Sequence, residues 1–181
     1  MLSKINTLSG YLYEYQKSVA NPEAFWENIA ESFYWRKKWD KTLEWSFNPL
    51  RVEWFVNGKL NITENIFEKN LFVLADKPAI IWEPNNPDEP NITLTYRQLH
   101  EKVCQFANVL LQNGVKKGDR VCIYMPMVPE AAIAMLACAR IGAIHSVVFA
   151  GFSASSLADR INDAEVRVVL TSDGNFRGAK T

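Results

Sequence analysis

From Arg120 onward the chain alternates apolar runs with amphipathic stretches. Strand-like runs start at Arg120 (RVCIYM), Ile144 (IHSVVF) and Val166 (VRVVLT), 22–24 residues apart. Between them, Pro129 to Arg140 is nearly all apolar, and a second helical stretch starts at Ser153 as cap and carries Leu157 and Ile161. Near-continuous branched residues separated by helices predict parallel strands buried on both faces. Connections of this length hold a helix and run right-handed. The fold class is therefore α/β, with the first βαβ units of an open, doubly wound sheet. Just upstream, Ala79 to Glu83 and Ile92 to Thr95 read as short strands around the exposed loop PNNPDEPN. Thr95 and Gln98 have capping-box spacing ahead of a helix carrying Leu99, Val103, Phe106, Leu110 and Leu111, closed by Gly114.

The first 78 residues follow no such rule. Asn21-Pro22-Glu23 predicts one helix start, an Asn cap before a proline, with Phe25, Ile29 and Phe33 on one face. From Trp35 to Leu60 no helical period holds. Trp39, Trp45, Phe47, Trp54 and Phe55 punctuate a polar stretch, which is expected to be irregular and to lie on another surface through aromatic anchors.

Composition sharpens this division. All six tryptophans lie within the first 82 residues, and six of the eight glycines lie at or after Gly114. Residues 1–90 carry 10 basic and 13 acidic side chains, against 10 and 7 over 91–181, so the zero net charge is a sum of opposite halves. Two zones are expected: an aromatic-rich helical or irregular segment over 1–78, and the start of an α/β domain over 79–181. A balanced charge argues against a nucleic-acid partner, and no apolar run is long enough for a membrane partner or span. Met1 to Ser18 contains no apolar block of the signal-peptide kind, which makes the expected compartment cytoplasmic. Cys104, Cys122 and Cys138 are too scattered for zinc or a disulfide framework and read as buried thiols.

Ligands of an open parallel sheet bind beyond the carboxyl ends of its strands. Three loops qualify: MPMVPE after Tyr124, FAGFS from Phe149, and TSDGNFRGAK from Thr171. The first has Glu130 as its one titratable group, and its prolines account for the turn. In the second, Gly151 either admits a ligand close to the backbone or simply makes the strand-to-helix turn. In the third, Arg177 and Lys180 suit a phosphate, or else form a solvated tail. His100 and His145 stand alone, and His145 reads as a core histidine within a strand. Asp159, Asp163 and Glu165 read as a solvated acidic helix end. No GxGxxG, Ser-His-Asp arrangement, metal-ligand spacing or lysine-bearing glycine-rich phosphate loop occurs, so no catalytic or metal-binding residue is assigned.

The stretches FWENIAESFYWRKKWDKTLEW and WFVNGKLN, and the run from GDRVCIYMPMVPEAAIAMLACARIGAIHSVVFAGFSASSLADRI to NFRG, resemble AMP-forming acetyl-CoA synthetases over residues 23–180. The resemblance implies an adenylate-forming domain and a two-step ligase acting on acetate, ATP and coenzyme A, with magnesium. It assigns the nucleotide end of coenzyme A to Phe149, Ala150 and Gly151 and to Arg177, Gly178, Ala179 and Lys180. Ala150 replaces a glycine of some relatives, and Lys180 stands where relatives often carry arginine. The family's Thr/Ser/Gly-rich phosphate loop, acyl pocket, ribose-binding aspartate and C-terminal lid with its lysine have no counterpart here. The chain is thus expected to be the N-terminal part of the ligase, inactive without the remainder of its adenylation domain and lid. The alternatives are a propionyl-CoA synthetase, or a stand-alone binding module without catalysis.

Overall fold

The computed structural model describes residues 5–174, and Arg177, Gly178, Ala179 and Lys180 lie outside them. The chain divides into two units, Met1–Asn61 and Ile62–Thr181. Among the described residues no helix is long and apolar enough to cross a membrane.

The first unit opens with α1 (Leu8–Ala20), which the sequence reading did not anticipate. Thr7 caps it by accepting a hydrogen bond from the Gly10 amide at 3.1 Å. No residue of α1 is buried. Its apolar positions, Leu8, Tyr11, Leu12, Tyr15 and Val19, follow a helical period but are diluted by tyrosines and by Gly10. Asn21 ends α1 and caps α2 (Pro22–Ala30), its Oδ1 accepting from the Ala24 amide at 3.1 Å. The helix stops at Ala30, so Phe33 leaves the face expected for it and is exposed.

The stretch expected to be irregular is instead a hairpin of β1 (Lys41–Phe47) and β2 (Leu50–Val56). Its pattern has period two, not 3.6: Leu43 pairs with Trp54, Trp45 with Val52, and Phe47 with Leu50, all on one face. Glu44, Ser46, Arg51 and Glu53 take the other face, where Arg51 pairs with both glutamates. Only part of the anchor expectation holds. Trp39 is 7% exposed and donates its indole N–H to Thr42 Oγ1 at 3.0 Å, whereas Trp45 and Phe47 are 58% and 81% exposed. Trp35, Trp39 and Phe55 pack together at centroid distances of 4.8–5.3 Å. Phe55 has φ 54°, a conformation that costs an L residue about 1–2 kcal/mol and that is held by this ring packing.

In the second unit, α3 (Ile62–Ile66) and α4 (Leu71–Leu74) precede an antiparallel ribbon of β3 (Pro78–Trp82) and β4 (Ile92–Thr95). Thr95 then starts α5 (Tyr96–Gln112) through a complete capping box: the Gln98 amide donates to Thr95 Oγ1 at 3.2 Å, and the Thr95 amide to Gln98 Oε1 at 2.9 Å. Leu99, Val103, Ala107 and Leu110 form the buried stripe of α5. Gly114, at φ 79°, turns the chain out of the helix.

The parallel sheet follows: β5 (Arg120–Met125), α6 (Pro129–Ile141), β6 (Ile144–Phe149), α7 (Ala154–Asp163) and β7 (Val168–Thr171), with strand order β6-β5-β7. The crossover from β5 to β6 and the crossover from β6 to β7 run in opposite directions across the sheet. Sharing one hand, they set α6 and α7 on opposite faces. α6 packs on α5, β5 and β6, and its small buried residues Ala131, Ala134 and Ala137 let α5 approach closely. The core joins Phe67, Leu99, Val103, Leu110, Val115, Val121, Ile133, Ala137 and Cys138. Burial on both faces holds for β5, where Val121, Cys122 and Ile123 are at most 1% exposed. It fails for β6, the outer of the three described strands, on which Ile144, Val147 and Phe149 are exposed. His145, expected in the core, is exposed for the same reason, and Cys104 is half-buried rather than buried.

Leu110 lies at the centre of this core at 2% exposure. Leu110→Ala is expected to cost about 2–5 kcal/mol, read from urea unfolding. A cost below that range would mean that α5 does not close on a solid core.

Candidate ligand site at the carboxyl edge of the sheet

Because β5, β6 and β7 are parallel, their carboxyl ends at Met125, Phe149 and Thr171 fall on one edge. Strand order reverses at β5, and such a reversal opens a crevice between the loops that leave in opposite directions. The site can therefore be described loop by loop.

The loop after β5 is a structural one. The Trp82 indole N–H at the end of β3 donates to the Met127 carbonyl at 2.7 Å, the Val128 amide donates to Pro126 O at 2.8 Å, and Pro129 occupies the first turn of α6. Glu130 begins that helix as an exposed acid, suited to the positive helix end.

The loop after β6 holds Phe149, Ala150 and Gly151. Phe149 is the last strand residue, and its carbonyl accepts from the Phe152 amide at 3.0 Å, which closes a tight turn. A Cβ on Gly151 would stand 2.4 Å from Cε1 of the Phe149 ring, so the absence of a side chain at 151 is what lets that ring lie down. Phe149 meets Phe152 edge to face at 6.0 Å, and the Arg160 guanidinium lies 5.0 Å over the Phe152 ring. Ser153 caps α7, accepting from the Ser156 amide at 3.3 Å, with Ser155 Oγ 2.9 Å from its hydroxyl. Tyr124 ties the turn to the sheet: its hydroxyl lies 3.0 Å from Ala150 O and 2.9 Å from Phe152 O. Sequence reasoning passed over Tyr124, although a tyrosine near the end of an apolar strand needs an acceptor for its hydroxyl.

The loop after β7 starts at Ser172, whose hydroxyl donates to Gly174 O at 2.8 Å. Its basic portion, Arg177 to Lys180, lies outside the described residues. At the opposite edge, Arg120 is committed to structure. It donates to Ala164 O at 2.7 Å and to Glu165 O at 3.1 Å, and it pairs with Glu165 Oε2 at 2.9 Å. Asp159, Asp163 and Glu165 are solvent-exposed, as expected.

The described part of the edge presents groups that can bind and orient a ligand. It offers helix-start amides, hydroxyls and aromatic faces, with no titratable group in the turn from Phe149 to Ser153. Among the described residues no cluster of three or more His, Cys, Asp or Glu could hold a metal ion.

His100, read from the sequence as isolated, is in fact engaged. Its ring packs on Phe67 at 5.1 Å, and its Nε2 lies 3.3 Å from Cys104 Sγ and 3.8 Å from Glu68 Oε1. Thiol and carboxylate both face the same ring nitrogen, whereas a catalytic relay needs one on each. The group is structural and centres on Arg140, whose guanidinium donates to Glu68 Oε1 at 2.7 Å. Burial pushes the Glu68 carboxyl up, but the Arg140 hydrogen bond and charge outweigh it and hold the group below its ordinary value of 4.5. Burial also pushes the Cys138 thiol up to about 11, which keeps it protonated and inert.

A family model described as AMP-binding enzyme matches residues 67–181, and one described as acetyl-coenzyme A synthetase N-terminus matches residues 11–66. An acetyl-coenzyme A synthetase of Bdellovibrio bacteriovorus is 53% identical over 171 residues, 94% of this chain and 26% of that protein. One of Leptospira biflexa is 52% identical over 175 residues, covering 96% and 27% respectively. The chain thus spans about a quarter of the length of these curated relatives. The structure of acetoacetyl-CoA synthetase from Streptomyces lividans superposes with a TM-score of 0.80 at 27% identity, over 88% of this chain and 24% of that one.

A depressed carboxyl stabilises the fold above its unfolded value, and that contribution is lost as pH falls through its folded value. Glu68→Gln is therefore expected to be less stable than the parent at neutral pH, with the gap narrowing on acidification below 4.5. Urea unfolding at several pH values measures it; a gap independent of pH would mean that the Glu68–Arg140 pair contributes no charge interaction.

Proposed function

The chain belongs to the family of AMP-binding enzymes, and from that premise we propose that it is the N-terminal part of an acetate–CoA ligase. In the first step an acetate oxygen attacks the α-phosphorus of ATP and pyrophosphate leaves, forming acetyl-adenylate. In the second, the sulfur of coenzyme A attacks the acetyl carbonyl, the thiol proton is lost and AMP departs. AMP is a good leaving group, so the protein's main contribution is to bring highly charged reactants together and orient them.

This chain's share is the nucleotide end of coenzyme A. The observation that carries the reading is the turn of Phe149, Ala150 and Gly151 at the carboxyl end of β6, beside the reversal of strand order. Gly151 leaves the backbone bare, and the start of α7 next to it carries the partial positive charge that suits a phosphate. Arg177, Gly178, Ala179 and Lys180 follow β7, a strand that ends on the same edge, and supply charge and donors to the phosphates. Arg177 contributes a planar fork, Lys180 a point charge. Acetate is favoured as substrate by the relatives named acetyl-coenzyme A synthetase, about half identical over nearly the whole chain. ATP with its magnesium, the acyl pocket and the lid lysine are assigned to residues outside this chain.

Two measurements test this. The 181-residue chain alone is expected to show no acetate-dependent ATP–pyrophosphate exchange, whereas the full-length protein shows it; exchange by the isolated chain would overturn the division of labour. In the full-length protein, Arg177→Ala is expected to raise the KM for coenzyme A by an amount worth about 1.5–3 kcal/mol, with exchange retained. Equal loss of exchange and thioester formation would remove Arg177 from the coenzyme A site.

A further inference from the structure

The geometry points to Tyr124 as a positioning residue for coenzyme A, acting through the Phe149–Ser153 turn without touching the ligand; this rests on the assignment of that turn to coenzyme A. Tyr124 is the fifth of the six residues of β5, and its register partner on β6 is Val148, immediately before the turn. Its hydroxyl lies 3.0 Å from Ala150 O and 2.9 Å from Phe152 O, the two carbonyls that bracket Gly151. A phenol carries a single proton, so it donates to one of them at a time or is shared between them. Either way both carbonyls are gathered on one point of the sheet.

The consequence for a ligand follows from peptide geometry. In a trans peptide the N–H of one residue points opposite to the carbonyl of the residue before it. With the carbonyls of Ala150 and Phe152 drawn to Tyr124, the N–H groups of Gly151 and Ser153 are turned the other way. Neither donates to another described backbone group. Two donors therefore face away from the sheet at the bare glycine, in the arrangement that receives phosphate oxygens. Phe152 N–H to Phe149 O, at 3.0 Å, is the turn's own backbone closure, and it engages neither the 150–151 nor the 152–153 peptide, whose carbonyls the tyrosine receives. Filling space does not explain the hydroxyl. Tyr124 is half-buried and outside the main apolar cluster, and a phenylalanine ring would occupy the same volume.

The test is Tyr124→Phe in the full-length protein, beside Arg177→Ala, with thioester formation measured against coenzyme A and pyrophosphate exchange measured on the same preparations. Tyr124→Phe is expected to raise the KM for coenzyme A about three- to tenfold while exchange, which reports an intact fold and adenylation step, stays at the parental rate. If Arg177→Ala raises that KM and Tyr124→Phe does not, the positioning role is wrong and the coenzyme A assignment stands. If neither raises it, the assignment fails and the role of Tyr124 fails with it. A Tyr124→Phe protein that loses exchange and thioester formation by the same factor would make the tyrosine a general structural residue, which also overturns the inference.

Discussion

The burial of β5 is the constraint on which the second unit depends. Val121, Cys122 and Ile123 have virtually no exposure, so the backbone groups beside them must be paired within the sheet, and β6 and β7 supply that pairing on either side. Both pairings are parallel. A parallel neighbour cannot be reached by a tight turn, so each needs a crossover long enough for a helix. Two helices result, and the strands all end on one edge. The location of the candidate site is thus a by-product of how one mostly apolar strand satisfies its hydrogen bonds.

What happens at that edge is decided by a few polar atoms on apolar elements. Trp82 holds the turn after β5 by a single indole hydrogen bond, and Tyr124 gathers two carbonyls of the turn after β6. Ser153 sets where α7 begins. The ionisable cluster of Glu68, His100 and Arg140 is elsewhere in the unit. There the half-buried Arg140 guanidinium donates to the Glu68 carboxylate, a structural ion pair.

Much of the second unit was legible because its punctuation is local. The Thr95–Gln98 capping box, Gly114, Pro129 and Ser153 each act within four residues, and each helix start or stop falls where they predict. The first unit was less so. Trp35 to Leu60 looked patternless at a period of 3.6 because it is a hairpin whose apolar face, Leu43, Trp45, Phe47, Leu50, Val52 and Trp54, runs at period two. The helix α1 was hidden by tyrosines, which belong equally to strands and surfaces. His145 is exposed here because burial of a strand depends on its position in the sheet, and β6 is the outer of the three described strands.

The residues by themselves determined the α/β class, the alternation of strands and helices from Thr95 onward, the three loops that leave the strand ends, and the resemblance that names a chemistry. They determined these because caps, glycine turns and hydrophobic periods are short-range effects. Only the tertiary structure decided the strand order β6-β5-β7, hence which loops flank the reversal, and which strand is enclosed. It alone brought the Tyr124 hydroxyl to carbonyls 26 and 28 residues further on. Strand order follows from pairing and packing between distant segments, whose relative position no local pattern encodes.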